Sequence, residues 1–179
     1  MNNVQELHKE RWGIRVSMQL MLASTAITLA LVFYTVGVFG ERRVGSLRVR
    51  HVVLFWFGLA CDSTGTAIMT AMARADSGAA MPLVHAVTGA AAIVLMLFHA
   101  IWALVTLLRR DGRALEAFHR LSTVVWLAWL VPYLIGLLMG MPMLSLSPLP
   151  ATVASLVVVA ALARALARGE QDAEGERAL

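Results

Sequence analysis

Five apolar stretches, each more than twenty residues long, constrain this chain more than anything else in it. They run over residues 16–40, 52–73, 82–108, 121–141 and 145–167. At about 1.5 Å of rise per residue, each is long enough as an α-helix to cross a hydrocarbon slab about 30 Å thick. The connections between them are short, and together they predict one all-α bundle of five transmembrane helices over residues 1–168. The remainder, 169–179, is polar (GEQDAEGERAL) and reads as a disordered cytoplasmic tail.

Composition agrees. The chain is 59% hydrophobic and 15% charged, where a soluble domain carries about 25% charged residues. The net charge of +4 and the pI near 10.2 would suit a nucleic-acid binder. The charges, however, sit in the short loops between apolar stretches, as a topology signal does, so no nucleic-acid partner is expected. The single cysteine, Cys61, lies inside a span, so no intrachain disulfide forms. The polar opening MNNVQELHKERWGIRV and the long first stretch lack the short core and small-residue cleavage site of a signal peptide. The first span therefore reads as a retained helix.

Orientation follows from the arginines and lysines. With the amino terminus outside, the inner side holds Arg42, Arg43, Arg48, Arg50, Arg109, Arg110, Arg113, Arg120, Arg164, Arg168 and Arg177, and the outer side only Lys9, Arg11, Arg15 and Arg74. The positive-inside rule favours that arrangement, with the carboxyl terminus in the cytoplasm. The fifth span is the weakest, because Pro148 and Pro150 stand near its start. Heavy use of Ala, Arg, Leu and Val fits a bacterial chain, and hence a bacterial cytoplasmic (inner) membrane.

Ionisable side chains inside hydrocarbon are rare and usually functional. Here they fall on the second, third and fourth spans, and the first and fifth look like walls. His51 and Asp62 are eleven residues apart and share one helical face, with Phe55, Gly58, Gly65, Thr66 and Met69. His85 and His99 are fourteen apart, share a face and stand about 21 Å apart along the axis. Thr88, Gly89, Ala92 and Met96 lie between them, a groove for a helix or a flat ligand. His119, Trp126 and Tyr133 repeat every seven residues beside Pro132 and the small-residue pair Gly136 and Gly140. Counting depth places His51 and His119 near the inner surface, Asp62 and His99 together near the midplane, and His85 near the outer surface.

Three readings of these residues stay open. In the first, histidines on facing helices bind haem b or a transition metal for redox work. His51 and His119 would be a matched pair, His51, His99 and His119 a metal set, and His85 would need Met69, Met72, Met81 or Met139 as its partner. In the second, Asp62 and His99 form the switch of a proton or cation pathway, helped by Ser63, Thr64 and Thr66. Five spans are few for such a protomer, so a homo-oligomer or a larger membrane complex is expected. In the third, the protein is a structural or assembly factor without chemistry of its own. Asp62 and His99 are then a packing pair, the tryptophans belt residues and Cys61 a small hydrophobe. No phosphate loop, zinc-protease signature or nucleophile elbow is present, so the sequence neither assigns nor denies an enzyme.

The stretches LALVFYTVGVFGER, HVVLFWFGLACDSTGTAIM, HAVTGAAAIVLMLFHAIWA and FHRLSTVVWLAWLVPYLIG resemble the HsmA-like family of small bacterial membrane proteins. The resemblance covers roughly residues 27–140. It includes His51, Asp62, Gly65, Thr66, His85, Gly89, His99, Trp102, His119, Trp126, Pro132 and Tyr133. It implies a multi-pass membrane protein and names no reaction.

Overall fold

Each apolar stretch lies in a helix over most of its length, and most of the helices run well past the stretch that specifies them. The computed structural model describes the backbone of residues 2–75, 83–109, 112–141, 144 and 146–177, and the side chains of all of these except 2–12, 83–84, 113, 170 and 172–177. The elements are α1 (Asn2–Val44), α2 (Val49–Ala75), α3 (Leu83–Arg109), α4 (Gly112–Gly140) and α5 (Pro148–Arg177). Each contains a segment long and apolar enough to cross a membrane, and together they make a multi-pass membrane-helix bundle. The connection at 76–82 with Met81, the pair Arg110 and Asp111, and the prolyl turn at 142–143 lie outside the described residues.

The overruns have local causes. α4 starts nine residues before its apolar stretch, because GRALEAFHR carries no breaker after its glycine and buries Phe118 completely. α5 opens on Pro148, a residue suited to the first helical position. It continues to Arg177, past the boundary at 168 that composition suggested. α1 closes on Arg42 and Arg43, cations that suit a helix carboxyl end. The chain then leaves the helix at Gly45, whose φ is 63°. A Cβ there would meet nothing within 4 Å, so Gly45→Ala should cost only the left-handed backbone penalty, about 1–2 kcal/mol. The midpoint of thermal loss of monodisperse protein in detergent reads that cost.

α1, α2, α3 and α4 form a closed ring of neighbours, each packing on the next and α4 returning to α1. α5 sits outside the ring against α4, and only 11% of its apolar stretch is buried, against 28–39% in the other four. The fifth helix is therefore the wall that was expected. The first is not, since it supplies Tyr34, Val38 and Glu41 to the fully buried interior. Outward, large apolar side chains such as Met21, Val94, Leu108, Val124 and Val157 are exposed, as lipid contact requires.

The closest pairing, α1 with α2, depends on glycines placed opposite rings. A Cβ on Gly37 of α1 would stand 2.6 Å from the Phe55 ring of α2, and one on Gly58 of α2 would fall into the Tyr34 ring of α1. One on Gly65 would stand 2.9 Å from the Ala23 carbonyl oxygen. Small residues let membrane helices approach in this way without a hydrophobic driving force between them. Between α3 and α4 the same device appears once, with Gly136 under the His85 ring, while Gly89 and Gly140 face open space.

Candidate functional site

The end of α1, the start of α2, the end of α3 and the start of α4 lie at one end of the bundle, the arginine end. There His51 stands in the first turn of α2. Its Nδ1 accepts from the Arg48 amide at 3.2 Å. Arg48 immediately precedes the helix, so His51 acts as the third-position acceptor of a capping box. Arg50 Nε also approaches Nε2 at 3.1 Å, but a neutral imidazole accepts at one nitrogen only. The Arg48 amide is fixed by the backbone whereas Arg50 is an exposed side chain, so the bond belongs to Nδ1. His51→Gln should keep the cap and most of the stability. His51→Ala should lose about 1 kcal/mol or more, read as thermal midpoints in detergent. A ligand histidine would be no better replaced by Gln than by Ala.

Facing it is a residue that sequence reasoning missed. Glu41, in the last turn of α1, is completely buried, and its carboxyl group contacts His119 Nδ1 of α4, an ion pair only when the imidazole is protonated. Neither Glu41 oxygen makes a geometrically sound hydrogen bond. The His119 ring is 25% exposed. Beside the pair, Arg42 Nη1 donates to Thr123 Oγ1 at 2.6 Å, a second tie from α1 to α4. No local signal marks Glu41 in the sequence: Gly40, next to it, stands against the His51 ring at a distance where a Cβ would make an ordinary contact.

His99 of α3 is fully buried between two rings, stacked on Phe118 at 5.0 Å and edge-on to Phe55 at 4.7 Å. Its Nε2 lies 3.4 Å from Ser122 Oγ, and its Nδ1 has no hydrogen-bond partner. Asp62 is 6% exposed and bonds across the ring of helices. Trp129 Nε1 of α4 donates to its Oδ2 at 2.8 Å. The Tyr34 ring meets Trp129 edge-on at 4.9 Å, and its hydroxyl is buried without a partner. One turn of α4 nearer the arginine end, Trp126 Nε1 donates to Thr35 Oγ1 at 3.2 Å. At the opposite end His85 stands over Gly136, its Nδ1 buried and unpartnered.

Asp62 and His99 thus take different partners and do not bond to each other. Read along α4, His99 is level with Ser122 and Asp62 with Trp129, seven residues or about 10 Å further along. The depth count set both turns of the arginine end at one level. His99 lies ten residues from the end of α3, while Phe55, which touches it, lies six from the start of α2. The α3–α4 hairpin therefore projects about 6 Å further, and the shift carries His99 away from Asp62.

The donor set for a haem or a metal is likewise dispersed. His51 caps its own helix, His119 meets Glu41, and His99 is enclosed by two phenylalanine rings. Among the described residues no three His, Cys, Asp or Glu side chains are placed to hold a metal ion. The groove expected on α3 is filled at Ala92 and Met96, both buried. Cys61 is half-buried and lines an apolar groove between α1 and α2 with Leu22, Thr25 and Thr64. No protein-family model, curated protein or solved structure matches the chain. The likeness to the HsmA-like family rests on the four stretches alone.

Proposed function

We propose that the protein is a pathway for protons or small cations through the membrane, with Asp62 and His99 as its central groups and the arginine end in the bacterial cytoplasm. The observation that carries this is a file of buried polar atoms without hydrogen-bond partners. Glu41, His99, Tyr34 and His85 each contribute at least one, in order from the arginine end to the opposite end. An unsatisfied polar group in a dry interior costs about 1–3 kcal/mol, so packing elements are normally saturated. Groups that must accept and release a proton keep lone pairs and protons available instead. Read along α4 at His119, Ser122, Trp129 and Gly136, the steps between the levels are about 4, 10 and 10 Å, and the longer ones exceed one hydrogen bond, so the relay runs through bound water. Five spans are few for a transporter, and a homo-oligomer or a larger membrane complex is the expected form.

The test is a pH gradient imposed across proteoliposomes of the purified protein, read by an entrapped dye. Decay of the gradient faster than in protein-free vesicles supports the reading, and equal decay removes it. Chelator treatment should leave the flux unchanged, whereas its loss would restore a metal reading. A second reading, a structural or assembly protein, is favoured by the saturated inter-helix ties Trp129 to Asp62, Trp126 to Thr35 and Arg42 to Thr123. It predicts no flux and co-purification with a larger membrane complex through the sparsely covered α5.

A further inference from the structure

We infer that Glu41 and His119 form the proton-uptake site at the arginine end, a carboxylate and an imidazole that hold one proton between them, so that the species carried is H⁺ and not an alkali cation. This rests on the pathway reading above and names its ion and its port.

The pair has one dry end and one wet end. Glu41 is 0% exposed although it belongs to an arginine-rich turn, where a carboxylate would ordinarily face water. Its Oε1 is in contact with His119 Nδ1, and the His119 ring is 25% exposed. Water therefore reaches the imidazole, and the imidazole reaches the carboxylate. A proton taken from water at the exposed part of the His119 ring makes the ring an imidazolium. The Nδ1 proton then passes to Oε1, which leaves a neutral carboxylic acid and a neutral imidazole, and one proton has moved inward.

Among the described residues, one cation and one anion act on the pair. From α1, Arg42 acts on both members and is tied to Thr123. From α4, Glu116 acts on His119. α2 brings His51, engaged by the Arg48 amide, and α3 brings His99, stacked on Phe118 beside His119. Hard cations are held by cages of several oxygens. The close neighbour of the Glu41 carboxylate is instead an imidazole nitrogen, a proton partner.

The deciding experiment is an infrared pH titration of the carboxyl C=O region, on the full chain in lipid nanodiscs. A protonated-carboxyl band should appear as pH falls, vanish in Glu41→Gln, and persist in Asp62→Asn and Glu116→Gln. In His119→Gln its midpoint should move by about one pH unit or more, and exchanging Na⁺ for K⁺ or choline should leave it in place. No band lost in Glu41→Gln, a midpoint indifferent to His119→Gln, or a midpoint that follows Na⁺ would each overturn the inference. If Glu41→Gln fails to fold, the His119→Gln midpoint decides alone, because that side chain is partly exposed. Proteoliposome flux separates the two levels of the argument. Full flux in Glu41→Gln with none in Asp62→Asn sinks the uptake site and keeps the pathway. No flux in wild type sinks the pathway, while the infrared midpoint still decides whether the pair holds a proton.

Discussion

Asp62→Asn should abolish pH-gradient-driven flux in proteoliposomes, a loss of at least about tenfold, because an intramembrane relay needs a side chain that titrates. Asparagine is nearly the shape of aspartate, and its Oδ1 can still accept the Trp129 indole proton that reaches Asp62 at 2.8 Å. The fold should therefore stand, with a thermal midpoint in detergent close to wild type. Trp129→Phe makes the complementary change. It keeps a ring against Tyr34 but strips the buried carboxyl of its donor, at a cost of about 1–3 kcal/mol. The two variants should part company, one losing transport with its stability intact and the other losing stability. If Asp62→Asn conducts like wild type, Asp62 is a packing group and the central step of the pathway falls. If wild type conducts and both variants fail equally in flux and in stability, the contact is structural.

The sequence was legible where hydropathy and periodicity act locally. Five helices follow from five apolar stretches, and the shared face of Phe55, Gly58, Asp62 and Gly65 on α2 follows from helical spacing. All four are buried in the bundle. Sequence was poor at what depends on how far one hairpin slides past another. His99 and Asp62 looked level because depth was counted from loop charges. GRALEAFHR, read as a loop, is helix, so α4 begins nine residues before its apolar stretch. Glu41 was invisible for a related reason. In GERR it reads as a loop charge, and nothing local says that α1 carries it one turn further under the His119 ring. Tyr34 stands on the first span, fully buried, so a wall was the wrong role for α1. The glycine that admits the Tyr34 ring, Gly58 on α2, acts across the pair and not along either helix.

That cross-helix control gives the second large effect. Gly58→Val should destabilise the bundle by about 1–3 kcal/mol or more, the range for forcing extra carbons into a packed interior. It should exceed Gly45→Ala, which meets no atoms. The new side chain would occupy the space of the Tyr34 ring. Tyr34 cannot simply withdraw, because it is fully buried and its other edge meets Trp129 at 4.9 Å. Any retreat presses on Trp129, and through it on the hydrogen bond to Asp62. Tyr34→Ala opens that space, so Gly58→Val should cost less in a Tyr34→Ala background than in wild type. The coupling should be about 0.5–3 kcal/mol in a double-mutant cycle of thermal midpoints. A strictly additive pair would mean that α1 and α2 adjust independently of the ring. The indole N–H resonance of Trp129 gives the readout at the site: it should shift in Gly58→Val and return toward its wild-type position in the double variant. If it stays fixed while the midpoint drops, the α1–α2 contact and the Asp62 site are separate, and the glycine pairing serves stability alone.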